Sequence, residues 1–361
     1  MKNLKNTYSE LPKEFHRSIN PTPVSKPEFL CLNRELANEL FIDTADENKL
    51  LQYFSGNEVP GDSSTIAMAY AGHQFGNFVP QLGDGRAILL GELYDKEKKL
   101  NDIQLKGSGV TAFSRQGDGR SAIGPVIREF ILSEAMHAMN IPTTRALAAV
   151  YTGENVSREA PVKGGILTRV SNSLIRVGTF EFFRARQDLE NLKVLADFTI
   201  NRLYPKISDE ENKYLLLFEA ISEKQSTLVS KWMSIGFIHG VMNTDNFSVS
   251  GETIDYGPCA FMEAYNPDTV FSSIDRHGRY KYSNQPKIAL WNLSCLAGCL
   301  LPIIEGNESE KEEAIRDSLG NFSKDINSKI NTTMTEKVGL EETKESNDLV
   351  KELLSIMHKN S

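Results

Sequence analysis

The chain has 361 residues, 40% hydrophobic and 24% charged, with a formal net charge of −8. That length allows two lobes, each with its own core, and the composition is that of ordinary globular proteins. The acidic balance argues against a broad nucleic-acid footprint, leaving only local basic clusters for phosphates. Four cysteines, Cys31, Cys259, Cys295 and Cys299, are too few for a disulfide scaffold.

Residues 1–60 are polar and punctuated by Pro12, Pro21, Pro23 and Pro27, which predicts an extended arm wrapping a domain and a short helix near 33–55. The opening "MKNLKNTYSELPKEFHRS" lacks the apolar core of a signal peptide, and a cytoplasmic location is expected. From about 79 to 106 the pattern turns to strands. "FVPQLGDGRAILLGELYD" and "KLNDIQLKGSG" read as hairpin strands with turns at Asp84-Gly85 and Lys96–Lys99. A glycine-rich connector, "SRQGDGRSAIG", leads into a helix in "PVIREFILSEAMHAMN", with Pro125 suited to its first turn. "ALAAVYTG" and "GGILTRVS" read as further strands.

From about 179 onward helices dominate, interrupted by a loop region at 237–285. The run "IALWNLSCLAGCLLPII", 288–304, is broken by Asn292, Ser294 and Pro302, so a buried core helix suits it better than a membrane span. Within it Cys295 and Cys299 share a helix face and read as packing residues. Ile315, Leu319, Phe322, Ile326, Ile330 and Met334 mark an amphipathic helix, and Leu349, Val350, Leu353, Leu354 and Met357 begin another. Sheet plus one helix, then a mainly helical half, is the order of an α+β, two-lobed, protein-kinase-like fold. The expected segments are an arm at 1–60, a sheet-bearing lobe at 61–178 and a helical lobe at 179–361.

Several short patterns could carry phosphate chemistry. "LGDGRA" offers Gly83 and Gly85 for close backbone approach, and Arg86 as a cation; taken alone it is a plain Asp-Gly hairpin turn. Lys106 ends a strand, and Glu129 and Glu134 lie on the following helix, with Glu129 the better partner; singly, each is a solvated surface charge. Arg169 and Arg176 bracket "VSNSLI" in a stretch poor in acids, where rigid guanidinium forks suit phosphate oxygens or surface ion pairs. Asp118-Gly119, within "RQGDGRS", reads as a turn.

The most specific stretch is "FIHGVMNTDNFSVSGETIDYGP", 237–258. Asn246 and, nine residues on, Asp255 are the oxygen ligands that hold Mg²⁺ in kinases, joined here by two expected short strands around Gly251. The position that normally carries the kinase base is Val241, which accepts no proton. Asp245 is the remaining carboxylate, and His239 reads as a structural loop histidine.

Together "YAGHQFGNFVPQLGDGRAILLGE", "LKGSGVTAFSRQGDGRSAIGPVIREFILSEAM", "TRVSNSLIRVGTFEFF" and "HGVMNTDNFSVSGETIDYGPCAFMEAYNP" closely resemble the SelO/YdiU protein nucleotidyltransferases. The resemblance implies a pseudokinase fold with ATP flipped relative to protein kinases. It implies transfer of AMP, or of UMP from UTP, to Ser, Thr or Tyr hydroxyls of proteins with release of pyrophosphate. It places Gly83, Gly85, Arg86, Lys106, Asp118, Gly119 and Asp255 against the nucleotide and Arg169 with Arg176 around the inverted terminal phosphates. Glu129 would pair with Lys106, Asn246 and Asp255 would hold Mg²⁺ or Mn²⁺, and Asp245 would accept the proton. Protein substrates are implied, with no nucleic-acid or membrane partner, and a monomer is expected. Family members usually continue beyond "LVKELLSIMHKNS" into a region that often carries a redox-sensitive cysteine or selenocysteine, so the helical lobe is expected to be short relative to the family. The alternative is a catalytically silent, nucleotide-binding pseudokinase scaffold.

Overall fold

The structure is a computed structural model that describes residues 1, 4–61 and 63–360. Residues 2 and 3 of the expected arm, 62 of the sheet-bearing lobe and 361 of the helical lobe lie outside it. The fold is α+β, with a mostly antiparallel sheet and nine α-helices among the described residues. The strands are β1 (His16–Ser18), β2 (Glu28–Leu32), β3 (Ile66–Met68), β4 (Gly72–Gln74), β5 (Asn77–Val79), β6 (Ala87–Tyr94), β7 (Leu100–Lys106), β8 (Ser121–Ala122), β9 (Arg145–Ser157), β10 (Pro161–Ser171), β11 (Phe237–Ile238) and β12 (Ala260–Phe261). The helices are α1 (Arg34–Glu39), α2 (Glu47–Phe54), α3 (Ile123–Ala138), α4 (Val177–Ala185), α5 (Leu189–Leu203), α6 (Lys213–Ser234), α7 (Gln285–Leu300), α8 (Glu308–Lys337) and α9 (Lys344–Lys359).

Two compact units divide the chain. The first holds Met1–Gly72, Phe78–Ile175 and Glu252–Asp255; the second holds His73–Asn77, Arg176–Gly251 and Tyr256–Ser361.

The first unit is built on one sheet in the order β1-β3-β6-β7-β10-β9-β2, with β8 added to β10. Its edge strands, β1 and β2, both come from the N-terminal arm, which therefore completes the sheet as well as covering it. On β10, Ile166 joins a core with Leu36, Leu50 and Phe54 of α1 and α2, while Leu167 joins one with Val126 of α3. Adjacent residues of a strand point to opposite faces, so α1 and α2 cover one face and α3 the other. The helix expected near 33–55 is two helices. Asn33 and Asp46 each cap an N-terminus, accepting from Leu36 N and Lys49 N, and Phe41 between them sits at φ 54.

Of the two expected turns, the one at Lys96–Lys99 is present and the one at Asp84-Gly85 is not a hairpin. The β6–β7 hairpin closes through Asp95–Lys99, where Asp95 Oδ1 accepts from the backbone of Glu97 and Lys99. Asp84-Gly85 closes no hairpin, because β6 pairs with β3 and β7. Asp84 is instead buried, its carboxylate accepting from Met68 N at 3.2 Å and Gln104 Nε2 at 3.0 Å. Around Gly251 there are no two paired strands. Ser248 bridges to Arg176 and Thr253 bridges to Thr143, so each arm of the turn takes a distant partner.

The second unit packs α6 against α7 and α8, α7 against α4, and α9 against α8. The stretch Tyr282–Ile303, which contains α7, is long and apolar enough by length and composition to cross a membrane, yet half of it is buried within the protein. Ile288, Leu293, Leu296 and Leu300 are buried on α7, as a core helix requires. A capping box of Asn307 and Glu310 starts α8. All four cysteines are free thiols.

Candidate active site

Within the first unit, strand, helix and loop bring four charges together. Lys106 ends β7, opposite Ala87 of β6 and Leu167 of β10. Its Nζ donates to Glu129 Oε2 at 2.7 Å and to Asp255 Oδ1 at 2.6 Å. Glu129 lies on the buried face of α3, in its second turn, because the helix already begins at Ile123. Glu134, the other acid on that helix, pairs with Arg145 at 2.8 Å.

Arg169 of β10 is only 2% exposed and serves both carboxylates. Its Nε donates to Glu129 Oε1 at 2.9 Å, its Nη2 to Asp255 Oδ1 at 2.6 Å, and its Nη1 to Gln104 Oε1 at 3.2 Å. Burial alone would push the Glu129 carboxyl up, but the Arg169 and Lys106 charges outweigh it and hold Glu129 below the usual carboxylate range. Burial likewise opposes the charge on Arg169, and Asp255 and Glu129 reverse that and raise its pKa further. Two cations and two anions thus form a formally neutral group, with Glu129 and Arg169 buried and Lys106 and Asp255 partly exposed. Asp255 sits at φ 61, a left-handed conformation that is uncommon for non-glycine residues and that Asp tolerates better than most.

The glycine-rich segments pack on one another. A Cβ on Gly83 would lie 2.4 Å from the Phe113 ring, and one on Gly85 would lie 2.9 Å from Phe113 O. Gly119, at φ 65, would drive a Cβ to 2.1 Å from the Gly109 backbone, while Gly109 N donates to Gly119 O at 3.0 Å. The missing side chains are therefore required by loop-on-loop contact. Arg86 is exposed, and its carbonyl accepts from Gly107 N at 2.6 Å. Asp118 pairs with Arg158 at 2.8 Å and accepts from Arg120 N, which lowers its pKa, Arg158 contributing most.

The second unit holds Arg176, Asp245 and Asn246. Arg176, 2% exposed, precedes α4, and its backbone N donates to Thr179 Oγ1 at 3.2 Å. Asp245 and Asn246 sit in a single 3₁₀ turn, Thr244–Asn246. Asp245 is 9% exposed and its Oδ2 accepts from Gln74 Nε2 at 3.3 Å. Asn246 spends its amide nitrogen on Val241 O at 3.1 Å, which directs the carbonyl oxygen, the ligating end, away from that bond. His239 is buried beside Trp232, ring centroids 5.4 Å apart, and its Nδ1 accepts from Val241 N at 3.4 Å.

The sequence assigns no role to Gln104, His73, Gln74, Glu181 or Asn243, all of which contact these residues or their turn. The only local signal was polarity trapped between glycines in "AGHQFGN". Among the described residues, His73, Glu181 and Cys295 also bring potential ligand atoms within 4.8 Å of one another. Both Glu181 oxygens are already engaged, Oε1 by His73 Nδ1 and Oε2 by Thr244 Oγ1, each at 2.5 Å.

A family model described as protein adenylyltransferase SelO matches residues 1–361. Curated relatives named protein nucleotidyltransferase YdiU align with 98% of this chain. The one from Agrobacterium fabrum is 54% identical over 355 residues, 73% of its own length. Those from Maridesulfovibrio salexigens and Pelagibacter ubique are 51% and 53% identical, with 72% and 73% of their lengths covered. The chain belongs to the SelO family of protein adenylyltransferases.

Proposed function

We propose that the chain transfers AMP from ATP, or UMP from UTP, to Ser, Thr or Tyr hydroxyls of proteins and releases pyrophosphate. The observation that carries this is the charged group Lys106–Glu129–Arg169–Asp255, with Asp255 at φ 61. An acid held by both a strand lysine and a buried arginine suits a site that presents a carboxylate to a metal–nucleotide complex.

The residue roles follow from chemistry. Asn246 and Asp255, nine residues apart in the chain, offer an amide oxygen and a carboxylate, a hard-oxygen set that suits Mg²⁺ or Mn²⁺. When bound, such an ion supplies Lewis acidity and neutralises phosphate charge. Lys106 fixes Asp255 and Glu129 and places a cation for the nucleotide's phosphates. Arg169 and Arg176 supply buried guanidinium charge for the terminal phosphates, which become the leaving pyrophosphate. Preorganised donors of this kind are worth on the order of 10²–10³ in rate each. Gly83, Gly85, Arg86, Asp118 and Gly119 line the nucleotide's path through loops that already fit closely together. Asp245 takes the proton from the acceptor hydroxyl as its oxygen bonds to the α-phosphorus and the bond to the β-phosphate bridge breaks.

We further propose a kinase-like fold in which 61–178 forms the sheet-bearing lobe, 179–361 the helical lobe and 1–60 an arm on them. A cytoplasmic monomer acting on proteins, with no nucleic-acid partner, is consistent with the net charge of −8. The test compares ATP labelled at the α- or the γ-phosphorus, with Mg²⁺ and with Mn²⁺, in a cell lysate. Label should pass to protein from the α position only, and Asp255→Ala should abolish it. Label arriving from the γ position alone would overturn the assignment in favour of a kinase.

A further inference from the structure

The segment His73–Asn77 is the tip of the β4–β5 hairpin, and its contacts converge on one target. His73 N donates to Thr244 Oγ1 at 2.7 Å, Gln74 Nε2 to Asp245 Oδ2 at 3.3 Å, and Phe75 N to Asn243 Oδ1 at 3.0 Å. Three successive residues of the tip therefore hold three successive residues of the turn that carries Asp245. Two further groups lock this match. Thr244 Oγ1 accepts from His73 N while donating to Glu181 Oε2, and the other Glu181 oxygen holds His73 Nδ1 at 2.5 Å. Tyr280 OH donates to Asn243 Oδ1 at 2.5 Å, and its ring lies 5.1 Å from that of Phe75. His73 also meets the Trp291 ring edge-on at 5.1 Å.

We infer that this tip, with Glu181 and Thr244, is a positioning device for Asp245: Gln74 fixes the carboxylate's rotation, and the His73–Glu181–Thr244 loop of hydrogen bonds fixes the turn beneath it. A carboxylate aimed at an incoming hydroxyl must hold one rotation about its two side-chain bonds, and the Gln74 amide bonds one of its oxygens. The anionic Glu181, 4% exposed, is held by one ring N–H and one hydroxyl, so either loss leaves a buried charge short of a donor. His73 and Glu181 could also form a metal centre with Cys295, but a metal there would have to replace the His73 Nδ1–Glu181 Oε1 hydrogen bond. The inference rests on the assignment of Asp245 as proton acceptor.

The experiment uses the full chain and follows transfer of α-labelled ATP into itself and into a fixed lysate. Four variants are compared: Thr244→Val, Thr244→Ser, Gln74→Ala and Asp245→Asn. Misplacement of a reacting group by about 1 Å costs on the order of 10²-fold. Thr244→Val and Gln74→Ala should therefore lower kcat roughly 10- to 100-fold with KM for ATP unchanged, and Thr244→Ser should recover most of the loss. Gln74→Ala removes a partly exposed side chain, so it keeps the test open should Thr244→Val fail to fold. A dead Asp245→Asn alongside wild-type rates in Thr244→Val and Gln74→Ala would overturn the positioning role and leave the base standing. A fully active Asp245→Asn would overturn the base and the device together. A rise in KM at constant kcat would also refute it. Zinc retained on purification, and lost with activity in Cys295→Ala, would replace it with a metal centre.

Discussion

Replacing Glu129 by glutamine keeps the side chain's shape and removes one charge from the charged group. The group then changes from two cations and two anions to a net positive charge shut away from water, since Glu129 is 3% exposed and Arg169 2%. Removing one partner of a buried pair costs about 3–5 kcal/mol. Asp255 stays within 2.6 Å of both cations, which places the cost near the lower end, about 3 kcal/mol. In a unit of this size each kcal/mol moves the melting temperature by about 2–4 °C, so a loss of about 6–12 °C is expected by circular dichroism. A second change, Lys106→Met in the Glu129→Gln background, restores neutrality around the Arg169–Asp255 pair. The double variant should then melt above the sum of the single losses, with a coupling of about 0.5–3 kcal/mol. Melting of Glu129→Gln within about 1 °C of the parent, or strictly additive losses, would show that the four charges do not act as one group.

Acid should weaken the same group. Glu129 titrates below the usual carboxylate range in the fold and near 4.3 when unfolded. Its contribution is therefore complete above about pH 4.3 and is lost as pH falls through the folded value; in Glu129→Gln that part of the acid-unfolding slope should vanish. Asp118→Asn breaks only an exposed pair with Arg158, so the melting temperature should hold within about 1 °C, while KM for ATP rises if Asp118 touches the nucleotide. Burial pushes the Cys295 thiol up to about 12 and raises Cys299 well above the ordinary range. A disulfide reagent at pH 8 should thus modify exposed Cys31 rapidly and Cys295 and Cys299 only after denaturation. Gly119→Ala would force a side chain into the Gly109 backbone at φ 65 and should cost at least about 1–2 kcal/mol, read by urea titration.

What sequence revealed and what it hid divide along the range of the interactions. Lys106 at a strand end and Glu129 on the next helix were legible because alternation and helical spacing are local, and their pairing needs only that the helix pack on its own sheet. Asp84-Gly85 misled because a dipeptide that favours hairpins says nothing about partners; β6 had already taken β3 and β7, and Asp84 turned inward to Met68 and Gln104. The strands expected around Gly251 failed for the same cause, since Ser248 and Thr253 found partners at Arg176 and Thr143, tens of residues away. The sheet's edge strands hid inside a proline-punctuated arm: β2 is largely exposed and shows no clean alternation.

The turn that carries Asp245 makes the point about function. Its own residues, Asn243 to Asn246, advertise metal and acid–base chemistry, and a local pattern suffices to find them. Their orientation is set by His73, Gln74 and Phe75, about 170 positions earlier in the chain, and by Glu181 and Tyr280. No composition or periodicity links these segments; only the fold does. On the proposed assignment of Asp245 as proton acceptor, its carboxylate acts only when it is directed at the acceptor hydroxyl. A hairpin tip delivering two backbone N–H groups and one side-chain amide to consecutive residues of that turn would supply such a direction.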